Sequence, residues 1–190
     1  MKRITLLLIG GVATLAGVVA FRAPASGQTD ADAAPIYRIK IPPGYRDWPL
    51  ISVARIGDPV NDIRAKLGND VAIRAFRTGM NAFPDGTIIA RLAWKQVTSE
   101  ENNAAFRPVM VAQGLSPDAI QKALFESSVA GPATNVQFMV KDSRKYASTG
   151  GWGFAQFTDG KPDGEAVHKT CFPCHAPAKD RDFVFTRYSR

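Results

Sequence analysis

The two cysteines of the chain stand three apart and a histidine follows at once, in the run Cys171-Phe172-Pro173-Cys174-His175. Two thiols separated by two residues can reach the two vinyl groups on one edge of a haem and form thioether bonds. The adjacent imidazole can then bind the iron from beneath, which is the c-type attachment pattern. The covalent tether holds the cofactor without a deep apolar pocket. Two other chemistries compete for the same residues. His168, Cys171, Cys174 and His175 together offer four nitrogen or sulfur ligands to a structural zinc ion, and two thiols at this spacing can cycle as a redox disulfide. Zinc is disfavoured because Cys174 and His175, as sequence neighbours, would have to share one tetrahedral ion. The disulfide is disfavoured because no strand leads into the motif to open a helix, and a polar loop precedes it. The reading adopted is one haem c per chain, with Cys171 and Cys174 as anchors and His175 as the axial iron ligand.

The ligand on the other side of the iron separates the functions open to such a protein. A methionine there raises the potential and suits electron transfer, whereas a vacant position suits binding and catalysis. Met139 falls in a strand pattern and reads as core. Met80 lies in a polar turn, and Met110 is flanked by Val109 and Val111. His168 is too close to Cys171 to cross to the far face of a haem, and surface exposure is expected for it. None stands out, so the iron is expected to be five-coordinate or to carry water.

The elements that must position this motif can be read from the pattern of residues. The stretch after Pro49 up to Ile56 is apolar and partly β-branched, as in a strand. Asp58-Pro59 is a helix-start signal, with Val60, Ile63 and Leu67 following at helical spacing and Gly68 as the stop. Asn69 opens a second short helix with Val71, Ala72, Ala75 and Phe76 on one stripe. Phe83-Pro84-Asp85-Gly86 is a turn, and Thr87 to Val97 is the clearest strand. There Ile88, Ala90, Leu92 and Trp94 alternate with a mixed face that includes Arg91 and Lys95. Ser116-Pro117-Asp118 opens a helix with Ile120, Ala123 and Leu124 buried, and Gly131-Pro132 is a break. Val136 to Lys141 and Trp152 to Phe157 are strands, and Thr158 to Gly164 is a polar loop. Phe183 to Tyr188 is a last β-like run. Strands and helices do not alternate regularly. The class is therefore α+β, a mainly antiparallel sheet with short helices packed to one side.

Of the 190 residues, 45% are hydrophobic and 22% charged, which excludes a disordered chain. Residues 1–27 have the form of an export signal: Lys2 and Arg3, an apolar run from Ile4 to Ala20, then small residues at Ala25-Ser26-Gly27. An uncleaved anchor is the alternative, and either way the rest of the chain is expected outside the cytoplasm, in a periplasm. A flexible leader is expected over 28–44 and a single haem domain over 45–190. Removing Lys2, Arg3 and Arg22 leaves 21 basic against 17 acidic residues, a mild excess scattered along the chain. It makes no nucleic-acid footprint.

The chain resembles the cytochrome P-460 family, which includes the cytochrome c′-beta proteins. The resemblance runs from about Tyr45 to Tyr188. It is carried by Tyr45-Arg46-Asp47-Trp48, Phe83-Pro84-Asp85-Gly86-Thr87, Val140-Lys141-Asp142-Ser143, Gly150-Gly151-Trp152-Gly153-Phe154, the motif at Cys171 to His175, and Asp182-Phe183-Val184-Phe185-Thr186. It implies an antiparallel sheet with helices, often in a dimer, and a pentacoordinate haem c on the motif histidine. Members bind nitric oxide, or oxidise hydroxylamine and pass electrons to a soluble acceptor. In the enzymes a lysine on the strand after the Asp-Gly-Thr turn is joined to the haem edge. That position is Arg91 here, and a guanidinium cannot act as the amine does. Lys95 lies on the same strand face roughly 13 Å further on. Some relatives use a distal carboxylate as proton acceptor, for which Glu165, on a loop, is the candidate.

Overall fold

The computed structural model describes residues 30–189; the expected export signal lies outside them. Among these residues no helix is long and apolar enough to cross a membrane.

Six strands form one antiparallel sheet in sequence order: β1 Leu50–Ile56, β2 Asp62–Gly68, β3 Ile88–Val97, β4 Val129–Lys141, β5 Trp152–Thr158 and the short β6 Lys161–Pro162. Helix α1, Asp70–Arg77, joins β2 to β3. Helices α2, Glu100–Ala112, and α3, Pro117–Glu126, form a hairpin between β3 and β4, and α4, Glu165–His175, follows the sheet. The fold is the α+β arrangement expected from the patterning.

The first face of the sheet is apolar. Ala90, Leu92, Phe138 and Phe157 are buried on it, and the Tyr45 ring meets Phe138 edge-on at 5.1 Å. The second face comes from the residues between these, and cross-strand register sorts it into rows. Ile89, Met139 and Phe154 make an apolar row across β3, β4 and β5, while Lys66, Arg91, Gln137 and Gln156 make a polar row from β2 to β5. This polar row is the mixed face of the clearest strand, and α4 with the C-terminal segment covers part of it.

Several local expectations differ from the structure. The segment after Asp58-Pro59 is strand β2, not helix. Ile63 and Leu67 are four apart, a spacing that satisfies a strand's period of two as well as a helical turn, and pairing with β1 and β3 decided between them. Gly131-Pro132 does not break the chain but lies inside β4, where the register with β3 shifts. Phe183 to Tyr188 is not a strand; Asp182 and Phe183 both take left-handed backbone (φ 49° and 63°), which turns the segment away from extended pairing. In the leader, Ala34, Tyr37 and Ile39 belong to the core, so the flexible stretch expected over 28–44 does not extend through them. Helix α2 had no counterpart in the sequence reading, because Pro108 sits inside it and no apolar stripe marks it.

Candidate haem-binding site

The cysteine pair lies in the last turns of α4. Residues three apart in a helix share a face, so Cys171 and Cys174 point to one side, both as free thiols. Cys171 is partly buried and Cys174 exposed. Burial, and then the neighbouring Cys174, push the Cys171 thiol up. His175 is the final residue of the helix. Its Nδ1 lies 2.8 Å from the carbonyl of Phe183, a contact that requires Nδ1 to carry the proton and leaves Nε2 as the free lone pair. Its ring packs between Phe154, at 5.0 Å, and Phe185, at 5.3 Å. Burial lowers the pKa of His175 and favours the neutral ring; the Phe183 carbonyl opposes this more weakly.

The Phe183 carbonyl is itself held in place. Lys141 donates to Asp182 at 2.6 Å and to the Gly150 carbonyl at 3.1 Å. The other Asp182 oxygen accepts from the Phe83 amide at 2.8 Å. The Phe183 ring occupies the place where any side chain at Gly150 would begin, within 2.1 Å of an added Cβ. Gly150 also has φ +66°, so a glycine is required there on both counts.

Cys174 and His175 open onto a cleft of about 580 Å³, within the range of cofactor sites, roughly 300–1,000 Å³. A smaller cavity under Cys171 shares Gln137, Met139, Cys174 and His175 with it. The far wall is the second face of the sheet, with Ile89 and Met139 as apolar floor and Arg64, Lys66, Arg91 and Gln137 beyond. Arg91 donates to Asn135 at 2.6 Å and lies 3.9 Å from Asp62, but its buried Nε has no partner. Burial, and then Arg64, bring its pKa down to about 10, partly offset by Asp62.

The residues singled out in the sequence are distributed as follows. Arg91 lines the cleft and Lys95 does not; Lys95 is exposed, in register with Asp62. Glu165 is on no loop but is the first residue of α4, exposed and paired with Lys169 at 2.8 Å. His168 corrects the expectation of surface exposure, since it is fully buried. Its Nε2 accepts from the Gln156 amide and its Nδ1 faces the Gly164 carbonyl, both at 3.0 Å. Both ring nitrogens are thus committed, which removes His168 from the zinc set, and no cluster of three metal-binding side chains occurs among the described residues. Met80 is exposed in its turn and Met110 is on the hairpin, whereas Met139 lines the cleft. Lys66, Arg64 and Gln137 were missed. The alternation of β3 was the one available signal, since its mixed face had to lie against something polar.

A haem fits these residues. Two thiols on one helix face and an imidazole with a free Nε2 border a cleft with an apolar floor, and an unsatisfied guanidinium nitrogen is buried in its wall.

The model of the family described as Cytochrome P460 matches residues 42–186. The chain belongs to this family. No individual curated protein matches it. As a cytochrome of the P-460 family it is a haem protein, and the match covers the whole sheet, α4 and the segment that carries Phe183. Within this cytochrome the guanidinium of Arg91 lies in the cleft wall beside Gln137.

Proposed function

We propose that this cytochrome is an exported protein with one haem c on Cys171 and Cys174. In this reading it is ligated by His175 and receives small nitrogen compounds, hydroxylamine or nitric oxide, on the open side. The observation that carries the reading is the Nε2 lone pair of His175, aimed by the Phe183 contact and bordering the same cleft as Arg91 and Gln137. When bound, the haem supplies an iron that coordinates the guest and a route for electrons to a soluble acceptor.

The protein's own groups bind and orient. Gln137 donates through its side-chain amide to Gln156. Its own carbonyl oxygen has no protein partner among the described residues and is free to accept from an O–H or N–H of the guest. Glu165 is spent on Lys169 at the surface, and no carboxylate lines the cleft among the described residues. A proton released from hydroxylamine would therefore pass to water, and capture is better supported than rapid turnover. Export is supported by the pattern of residues 1–27. A homodimer is supported by the apolar side chains exposed on the α2–α3 hairpin, Phe106, Val109, Val111 and Phe125.

A second reading has an observation of its own. Met139 lines the cleft with His175, which favours a six-coordinate electron carrier. Optical spectra of the purified holoprotein separate the two. High-spin ferric bands that respond to added hydroxylamine or nitric oxide are expected for the open site. A low-spin spectrum with a methionine-to-iron band, abolished in Met139→Leu, would replace it with the carrier.

A further inference from the structure

Among the described residues, the cations of the cleft outnumber the carboxylates that meet them. Arg64, Lys66 and Arg91 all line it, and the carboxylate that meets them is Asp62, 2.9 Å from Arg64 and 3.9 Å from Arg91. Lys66 makes no hydrogen bond or ion pair among the described residues, although it is only partly exposed. Burial and then repulsion from Arg64 and Arg91 lower its pKa. Three half-buried cations against one carboxylate repel one another more strongly than they would in water, because the local dielectric is lower. An occupant with two negative charges would remove that excess.

The position of the cations points the same way. The thiol anchors on α4 lie beside β5 and β4, where Cys171 and Cys174 share a cavity with Phe154, Gln156 and Gln137. Lys66 is in register with Arg91, Arg91 with Gln137, and Gln137 with Gln156. This row therefore spans three inter-strand spacings from β5 to β2, about 14 Å at the usual 4.8 Å per spacing. A haem anchored by its vinyl edge carries its two carboxylates on the opposite edge, a comparable distance away, and the apolar Ile89 and Met139 lie between.

The geometry points to Lys66, with Arg64 and Arg91, as the seat of the two haem carboxylates, so that the cofactor lies across the sheet with its acidic edge over β2. This rests on the haem c reading above. Ionised carboxylates gain charge-assisted hydrogen bonds from guanidinium and ammonium donors, and the buried Arg91 Nε gains the partner it lacks.

A zero-length carbodiimide applied to the holoprotein tests the assignment. Coupling of the Lys66 amine to a haem carboxylate, with loss of water, should join the haem-bearing peptide with Cys171 and Cys174 to the peptide with Lys66. Mass spectrometry should find that product, and should not find it in Lys66→Arg, which keeps the charge but not the amine. In resonance Raman spectra, the propionate bending band should shift in Arg64→Gln and Lys66→Gln and stay unchanged in Lys95→Gln. Haem present on both cysteines with no Lys66 product and no band shift overturns the assignment while leaving the haem c reading intact. Peptides without haem on either cysteine overturn both. Saturable binding of inorganic phosphate to the holoprotein, lost in Lys66→Gln, would overturn it in favour of a site for free oxyanions.

Discussion

At the scale of single residues, the site depends on a proton's location. His175 holds its proton on Nδ1 for the Phe183 carbonyl, and burial keeps the ring neutral. In the haem-free chain the folded pKa therefore lies below the ordinary value of about 6.5. As the pH falls through that value the unfolded state takes up a proton before the folded state does, so this residue makes stability rise with pH across that window. Denaturant titrations from pH 7 down to 5 should show the loss, and His175→Phe should flatten that part of the profile. The two thiols also differ. Cys174 is exposed, while Cys171 is partly buried with a raised pKa. Because the thiolate is the reactive form, iodoacetamide should alkylate Cys174 several-fold faster than Cys171, as read by peptide mass spectrometry of the haem-free protein.

At the scale of elements, the placement of α4 against the sheet depends on a residue that binds no ligand. Strand β6 has two residues, one of them Pro162, so it leaves the outer edge of β5 incompletely paired. His168 satisfies the Gln156 amide there through Nε2 and faces the Gly164 carbonyl through Nδ1. His168→Ala leaves a donor without its partner and a void at a fully buried position. A loss of about 1–3 kcal/mol is expected for the donor alone, measurable by urea denaturation, with faster hydrogen exchange at Gln156. Asn69 plays a comparable part between β2 and β3. Its side-chain oxygen accepts from Ala72 and from Ile88, and its amide donates to Gly86. It both caps α1 and ties the helix start to the turn before β3. Asn69→Ala should cost about 1–2 kcal/mol from the cap, and more if the turn loosens, while Asn69→Asp should keep the cap but lose the bond to Gly86.

At the scale of the molecule, the C-terminal segment closes the site by bonding to distant parts of the chain. Lys141 at the end of β4 pairs with Asp182, which also accepts from Phe83, and Ser189 donates to Ile51 in β1. The side chains of Lys141 and Asp182 are only 10% and 12% exposed, so removing one partner leaves the other charged group stranded. Asp182→Ala should destabilise the protein by about 3–5 kcal/mol. It should also release the Phe183 carbonyl, visible as a broadened or split His175 side-chain signal by nitrogen-15 NMR. Asp182→Asn keeps a residue tolerant of left-handed backbone and should lose the ion pair while retaining more of the turn. Among the described residues no side-chain hydrogen bond or ion pair ties the α2–α3 hairpin to the sheet, and although Ile120 and Leu124 are buried, Phe106, Val109, Val111 and Phe125 face outward. Phe106→Glu combined with Phe125→Glu should shift the elution of the protein to the monomer position if this is the dimer contact.

Helix α1 with its Asn69 cap, the helix at Ser116, and strands β1, β3 and β5 were legible in the sequence because each depends on neighbours in the chain. A cap, a turn or a two-residue periodicity is written within about ten residues. Tertiary structure decided whether Ile63 and Leu67 lay on a helix or a strand, since their spacing suits both and only pairing with β1 and β3 separates them. It decided that His168 is buried, because the unpaired amide it satisfies belongs to another element. It also decided which cations share the cleft with His175: Lys66 and Arg91 are 25 positions apart in the chain and meet only through strand register. Local chemistry thus marked the run from Cys171 to His175, whereas the groups around it were set by contacts between segments distant in sequence, which no short-range pattern encodes.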